Sequence, residues 1–307
     1  MTAVVLALGP IFLLILLGFF LKSREIVTDA FWQPAESLTY YAFFPALLIV
    51  NTANADLSGL SIFPLAASLV CATLIVSGIL LALKPALGID GAAFTSLFQG
   101  AIRPNTYVGL AAASALFGAP GLTLTAICIV FIVPLVNLLS ITVLTRFAER
   151  PDAGRGNILI EIAKNPIILA CTIGAGFNLS GLGIPPVLGS FLEILGRAAL
   201  PVGLLAVGAG LNLKAMRQDA KDVTVASILK LIVLPLLTLL GGMAFGLEGI
   251  SLSVGLIYAS IPCSASAYVL ARQMGGDATL MAGIITATTL VAAVTMPLAI
   301  ILQKALY

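Results

Sequence analysis

Apolar residues run through this chain in long blocks separated by short polar connections, with no sustained alternation of strand type. A helix that crosses a bilayer needs about 20 mostly apolar residues. On that ruler the sequence predicts ten spans, over 3–21, 31–52, 60–83, 91–118, 121–144, 158–178, 186–211, 223–246, 250–273 and 278–303. The connections are short. The longest, 146–157, is charged, and no stretch remains for a soluble domain. Two spans are interrupted. The fourth carries Arg103, Pro104, Asn105, Thr106 and Tyr107 in its middle, and the ninth carries Pro262, Cys263, Ser264 and Ser266.

Those interruptions are where the chemistry concentrates. Arg103 lies about a dozen residues from either end of its span, or roughly 18 Å at 1.5 Å per residue, which is too far to snorkel easily. A guanidinium at that depth should face a wet cavity or a partner. Pro104 lacks an amide donor and breaks the turn before it. Asn105 and Thr106 can then cap a restarting half-helix, and Ser264 and Ser266 stand in the same relation to Pro262. Each restart aims a partly positive N-terminus at mid-span, so two of them and one guanidinium predict an anion site best suited to a carboxylate. The blander reading is that both prolines only kink their helices, with Arg103 paired to a buried carboxylate.

Composition narrows the class. Of 307 residues 60% are hydrophobic and 9% charged, against about 25% charged in soluble domains. The net charge of +2 gives no reason to expect a nucleic-acid partner. The chain has no histidine, which excludes His-based zinc sites and Ser-His-Asp chemistry, and no nucleophile–base pair suggests an intramembrane enzyme. No cofactor or metal is expected. Cys71, Cys128, Cys171 and Cys263 stand singly in apolar runs and read as small buried hydrophobes. The first span exceeds a signal-peptide core and is followed, not preceded, by Lys22 and Arg24, so it reads as a retained helix.

Orientation follows from the basic residues of the connections. Lys22, Arg24, Lys84, Arg146, Arg150, Arg155, Lys214, Arg217, Lys221 and Arg272 fall on one side, and only Lys304 on the other. Both termini are therefore expected outside the cytoplasm, with the central connection inside and Trp32 at the cytoplasmic headgroup level. Among charges within the spans, Glu36 and Glu193 are the candidates for ion coupling. Glu193 and Arg197 have the spacing of a helical ion pair. Glu161 and Lys164 read as a surface pair, and Lys230 lies about two turns inside the eighth span. Gly174, Gly176, Gly181 and Gly183 read as close-packing positions.

The central connection divides the chain into halves at 1–145 and 158–307, each with five spans, so a tandem repeat would be inverted. Pro10 and Pro166 are 156 positions apart, as are Pro45 and Pro201, and the two breaks are 158 apart. Lys164-Asn165-Pro166-Ile167-Ile168, Ile184-Pro185-Pro186 and Ala199-Leu200-Pro201-Val202-Gly203-Leu204, with Phe43-Phe44-Pro45-Ala46-Leu47 and Arg103-Pro104-Asn105-Thr106-Tyr107 in the first half, resemble the auxin efflux carrier family over nearly the whole chain. Its bacterial branch includes malate and malonate permeases. The resemblance implies an all-α membrane fold of ten helices in two inverted five-helix repeats, with broken fourth and ninth helices crossing at mid-membrane beside a scaffold of helices 1, 2, 6 and 7. It further implies a secondary transporter in the cytoplasmic membrane. The central connection is only about a dozen residues, so the phosphorylation control of the long-looped plant members does not carry over.

The expected function is alternating-access transport of a small organic anion, with Arg103, Pro104, Asn105, Thr106, Tyr107, Pro262, Cys263, Ser264 and Ser266 as substrate residues. The alternative is a cation/proton antiporter of the same fold, although no acidic residue lies within seven positions of Pro104 or Pro262. The substrate, the coupling ion (H+ or Na+), the direction of flux and the oligomeric state, a homodimer included, stay open.

Overall fold

The computed structural model describes residues 2–55, 61–148 and 164–306. Arg150, Arg155 and Glu161, which entered the topology and surface-pair expectations, lie outside the described residues. The described chain is all helix, with no strand. In order the elements are α1 (Thr2–Ser23), α2 (Asp29–Leu38), α3 (Phe44–Ala53), α4 (Ile62–Leu87), α5 (Gly91–Ile102), α6 (Thr106–Phe147), α7 (Pro166–Ser180), α8 (Pro186–Ala209), the single turn α9 (Ala215–Gln218), α10 (Ala220–Ile228), α11 (Leu234–Ala244), α12 (Gly249–Ser260), α13 (Ser266–Met274) and α14 (Ala278–Leu306). Six helical stretches are long and apolar enough to cross a membrane: α1, α4, α6, α8, α10 joined to α11, and α14. The shorter α7 and α12 are equally apolar.

Prolines decide where these helices bend. π-Helical turns join α2 to α3 over Thr39–Phe43 and α10 to α11 over Leu229–Val233. Each is followed at once by a proline, Pro45 or Pro235, near the start of the next helix. Proline cannot donate to the carbonyl four residues back, and a wider turn relieves the clash while keeping the axis running. Pro201, by contrast, sits within α8 without such a turn. In α6 the backbone breaks at Gly118, whose φ of 60° and ψ of −140° are open to glycine alone, and Pro120 follows. That break separates the predicted fourth and fifth spans.

Glycine lets the helices approach closely. A Cβ on Gly18 would overlap the Leu205 carbonyl, and one on Gly208 would overlap the Ile15 carbonyl, so α1 lies backbone to backbone on α8. Without a hydrophobic drive between helices in lipid, such close packing holds them together. Gly174 does the same for α7 against α3, where a Cβ would come within 2.8 Å of Thr52 and 2.9 Å of the Ile49 carbonyl. Asn178 fastens that pair by donating to the Ala53 and Ala55 carbonyls at 2.9 and 2.8 Å. The other three glycines of the expected packing set behave differently. A Cβ on Gly176 would meet nothing within 4 Å, and Gly181 and Gly183 are left-handed turn residues at φ 65° and 66°. We expect Gly208→Val to force α1 off α8, costing at least the about 1–3 kcal/mol typical of overpacking. Thermal denaturation of the purified variant should show a lower midpoint than wild type.

Trp32 is buried in the protein, packed edge-on against the exposed ring of Phe31 at 5.4 Å. One further expectation is corrected. Cys128, Cys171 and Cys263 are buried as expected, but Cys71 is exposed on α4. Leu179, Leu182, Val187, Phe191 and Ile194 are also exposed, as side chains that meet lipid rather than water would be. Connections with basic residues meet at shared ends: the Lys84 ammonium lies 4.9 Å from the Phe147 ring centroid and 5.4 Å from that of Phe94, and Asp277 donates its amide to the Ala92 carbonyl.

Candidate functional site

Both predicted breaks are present, and they touch. α5 stops at Ile102 because Pro104 cannot continue its ladder, and the Arg103 amide makes the closing bond to the Gln99 carbonyl at 2.9 Å. α12 stops at Ser260, two residues before Pro262. The two extended segments then pair antiparallel, Pro104 opposite Cys263, with the Asn105 amide donating to the Pro262 carbonyl at 2.9 Å. The Cys263 amide is taken up by the Thr288 hydroxyl of α14 at 3.1 Å. Backbone that left its helices is thereby satisfied within the protein, as buried non-helical segments require.

Each segment restarts as a helix with its N-terminus facing a common cavity. The Asn105 carboxamide oxygen accepts from the amides of Tyr107 and Val108 at 3.2 and 3.4 Å, the expected cap of α6. At the start of α13 the Ser264 hydroxyl accepts from the Ser266 amide at 3.4 Å and lies 3.0 Å from the Ser266 hydroxyl. The cavity is about 420 Å³ and is lined by Arg103, Pro104, Asn105, Thr106, Tyr107, Ser264 and Ser266, seven of the nine predicted substrate residues. Pro262 and Cys263 stand behind this wall as the bridge that holds it.

Arg103 is the dominant charge. Its side chain is 9% exposed, one terminal nitrogen donates to the Asn137 carboxamide oxygen at 2.6 Å, and the other is buried with no partner. Among the described residues no carboxylate pairs with it, so the pairing expected by the blander reading is not formed. Tyr107 is held with its ring stacked on Phe44 at 4.5 Å and 7°, and Gly203 of α8 leaves room for both rings. Glu36, half-buried on α2, lines the same cavity. Glu193 does not: it is exposed on α8, and it makes no ion pair with the exposed Arg197.

Among the polar residues not assigned from the sequence, two at the cavity and one outside its lining stand out. Asn137, three positions after Pro134 in an apolar run, is the Arg103 partner. Asn165 lines the cavity while capping α7, accepting from the Ile167 and Ile168 amides at 3.0 and 3.3 Å. Lys230, about two turns inside its span, is wholly buried away from the cavity lining and donates to the Ala259 carbonyl at 3.4 Å. A lone amide in an apolar span was the available signal for Asn137, since burying it without a partner is costly.

Comparison with known proteins finds similar transporters over nearly the whole chain. The chain is 27% identical over 291 residues to an uncharacterized transporter of Methanothermobacter thermautotrophicus, covering 94% of each chain. It is 24% identical over 289 residues to an uncharacterized transporter of Methanocaldococcus jannaschii, covering 91% of this chain and 92% of the relative. The family model described as membrane transport protein matches residues 3–300, and the chain belongs to that family, which is the auxin efflux carrier and malate/malonate permease type recognised in its motifs.

Proposed function

We propose that this protein is a secondary transporter of a small organic anion, with a carboxylate bound where the two helix breaks meet. The observation that carries the reading is Arg103: a buried guanidinium with no carboxylate partner among the described residues, lining a cavity between two half-helix N-termini. A desolvated charge of that kind is stable only when something neutralises it, and two partly positive helix starts select an anion. The cavity volume of about 420 Å³ suits a mono- or dicarboxylate such as malate, malonate or an auxin-like acid. The ten-helix arrangement with inverted repeats 1–145 and 158–307 supplies the rocking geometry for alternating access. A thermal-shift screen of the purified protein against carboxylates tests the reading, because a ligand that binds the folded state raises the midpoint. No shift with any carboxylate, malate and malonate included, speaks against it.

The Asn105 side-chain nitrogen, Nδ2, makes no hydrogen bond among the described residues and is free to donate to the anion. A hydrogen bond to a charged group contributes about 1.5–3 kcal/mol, so Asn105→Ala should weaken carboxylate binding about 10- to 100-fold in calorimetry. Some of that loss will reflect the missing cap of α6, and Asn105→Asp, which keeps the cap but places a charge against the ligand, should be at least as damaging.

For coupling, the cavity favours Glu36 over Glu193 as a proton carrier. Glu36→Gln should abolish uptake driven by a pH gradient while leaving counter-exchange of substrate intact. Normal gradient-driven uptake in that variant would remove Glu36 from the coupling mechanism and favour Na+ coupling or uniport. Orientation is tested by single cysteines on a cysteine-free background. Leu182→Cys should react with an impermeant thiol reagent in intact cells and Lys221→Cys should not; the reverse pattern would invert the topology.

A further inference from the structure

The carbonyl end of the second break contains a feature that anion binding does not use. α12 ends at Ser260 with no backbone amide folding back on it among the described residues, whereas α5 is closed by the Arg103 amide. The last carbonyls of such a helix carry about half a negative charge, which in lipid-depth protein demands a cation or a donor. Lys230 supplies one. It sits in the π-helical turn Leu229–Val233, is fully buried, and its ammonium donates to the Ala259 carbonyl at 3.4 Å. Among the described residues no carboxylate pairs with it. A π turn changes the register of the residues it contains, and here it belongs to the helix that delivers an ammonium to the α12 end.

We propose that the carbonyl end of α12 is a monovalent-cation site filled by the chain's own Lys230. Unwound carbonyls and half-helix C-termini are the usual ligands for a mobile alkali cation in a transporter, and a tethered ammonium offers the same charge without a binding equilibrium. The protein therefore needs no external cation at this position, and removing the tether exposes the site. This rests on the transport reading only for its bearing on coupling. Its test is performed with no carboxylate present, so failure of the anion site leaves it intact.

The experiment measures the thermal midpoint of purified protein in chloride salts of Na+, K+, Li+ and N-methylglucamine at equal ionic strength. Wild type should show the same midpoint in all four. Lys230→Ala should be less stable in N-methylglucamine and should recover saturably with at least one of the small cations, or with methylammonium. Saturable stabilisation of wild type by Na+ over N-methylglucamine would overturn the proposal, as would a folded Lys230→Ala indifferent to every cation. Should Lys230→Ala yield no folded protein, Lys230→Arg and Lys230→Met are compared. Retention of charge should make the arginine variant the better folded, and equal or better folding of the methionine variant would overturn the proposal.

Discussion

Asn137→Asp should silence carboxylate binding while leaving the protein folded. The substitution is nearly isosteric and places a carboxylate where the amide oxygen now lies 2.6 Å from the Arg103 guanidinium. Two unit charges about 3 Å apart attract by roughly 5 kcal/mol at the effective dielectric constant of about 20 that suits protein sites. A tethered carboxylate would thus compete with any substrate for the same cation, and without the entropy cost of association. We expect affinity to fall at least about 100-fold, equivalent to about 2.7 kcal/mol. The thermal midpoint should hold or rise, because a guanidinium that lacked a charged partner gains one. A purely structural Arg103 differs in one result: the same or greater stability with unchanged binding. Calorimetry and thermal denaturation on the same preparation separate the two.

Arg103→Lys should be nearly as damaging, for a different reason. The guanidinium offers a planar fork that holds Asn137 with one nitrogen and presents the other, now unpartnered, to a ligand. A lysine ammonium keeps the charge but concentrates it at one atom and cannot hold a carboxylate in bidentate fashion. Loss of one charge-assisted bond and of the orientation set by the Asn137 contact should weaken binding about 10- to 100-fold. Folding should be affected less than binding, since the backbone closure to Gln99 and the Pro104–Cys263 pairing do not involve the side chain.

Much of this site is written locally in the chain. Proline has no amide hydrogen, so breaks at Pro104 and Pro262 follow from the residue itself, and an asparagine or serine after a break is a cap wherever it occurs. That is why seven of the nine residues proposed from those two motifs line one cavity. The residues that escaped the sequence reading depend on distant partners. Asn137 is 34 positions from Arg103 and looks like any other polar residue in an apolar run. Lys230 meets a carbonyl 29 positions away, and nothing in its own span states which neighbour it faces. Glu36 and Glu193 look alike as half-submerged carboxylates, and only the placement of α2 beside the cavity puts one of them in its lining. Glycine shows the same division. Gly174 packs α7 on α3 while Gly181 turns the chain, and local sequence gives both the same appearance of small residues in a row.

The most direct test of the central claim is a calorimetric titration of monodisperse wild type and Arg103→Lys with acetate, malonate, malate and indole-3-acetate, with folded yield recorded for each. The account predicts that at least one of these carboxylates binds wild type and that its affinity drops about 10-fold or more in the folded variant. If both proteins are folded and bind the same carboxylate equally well, the anion site is not where the two helix breaks meet.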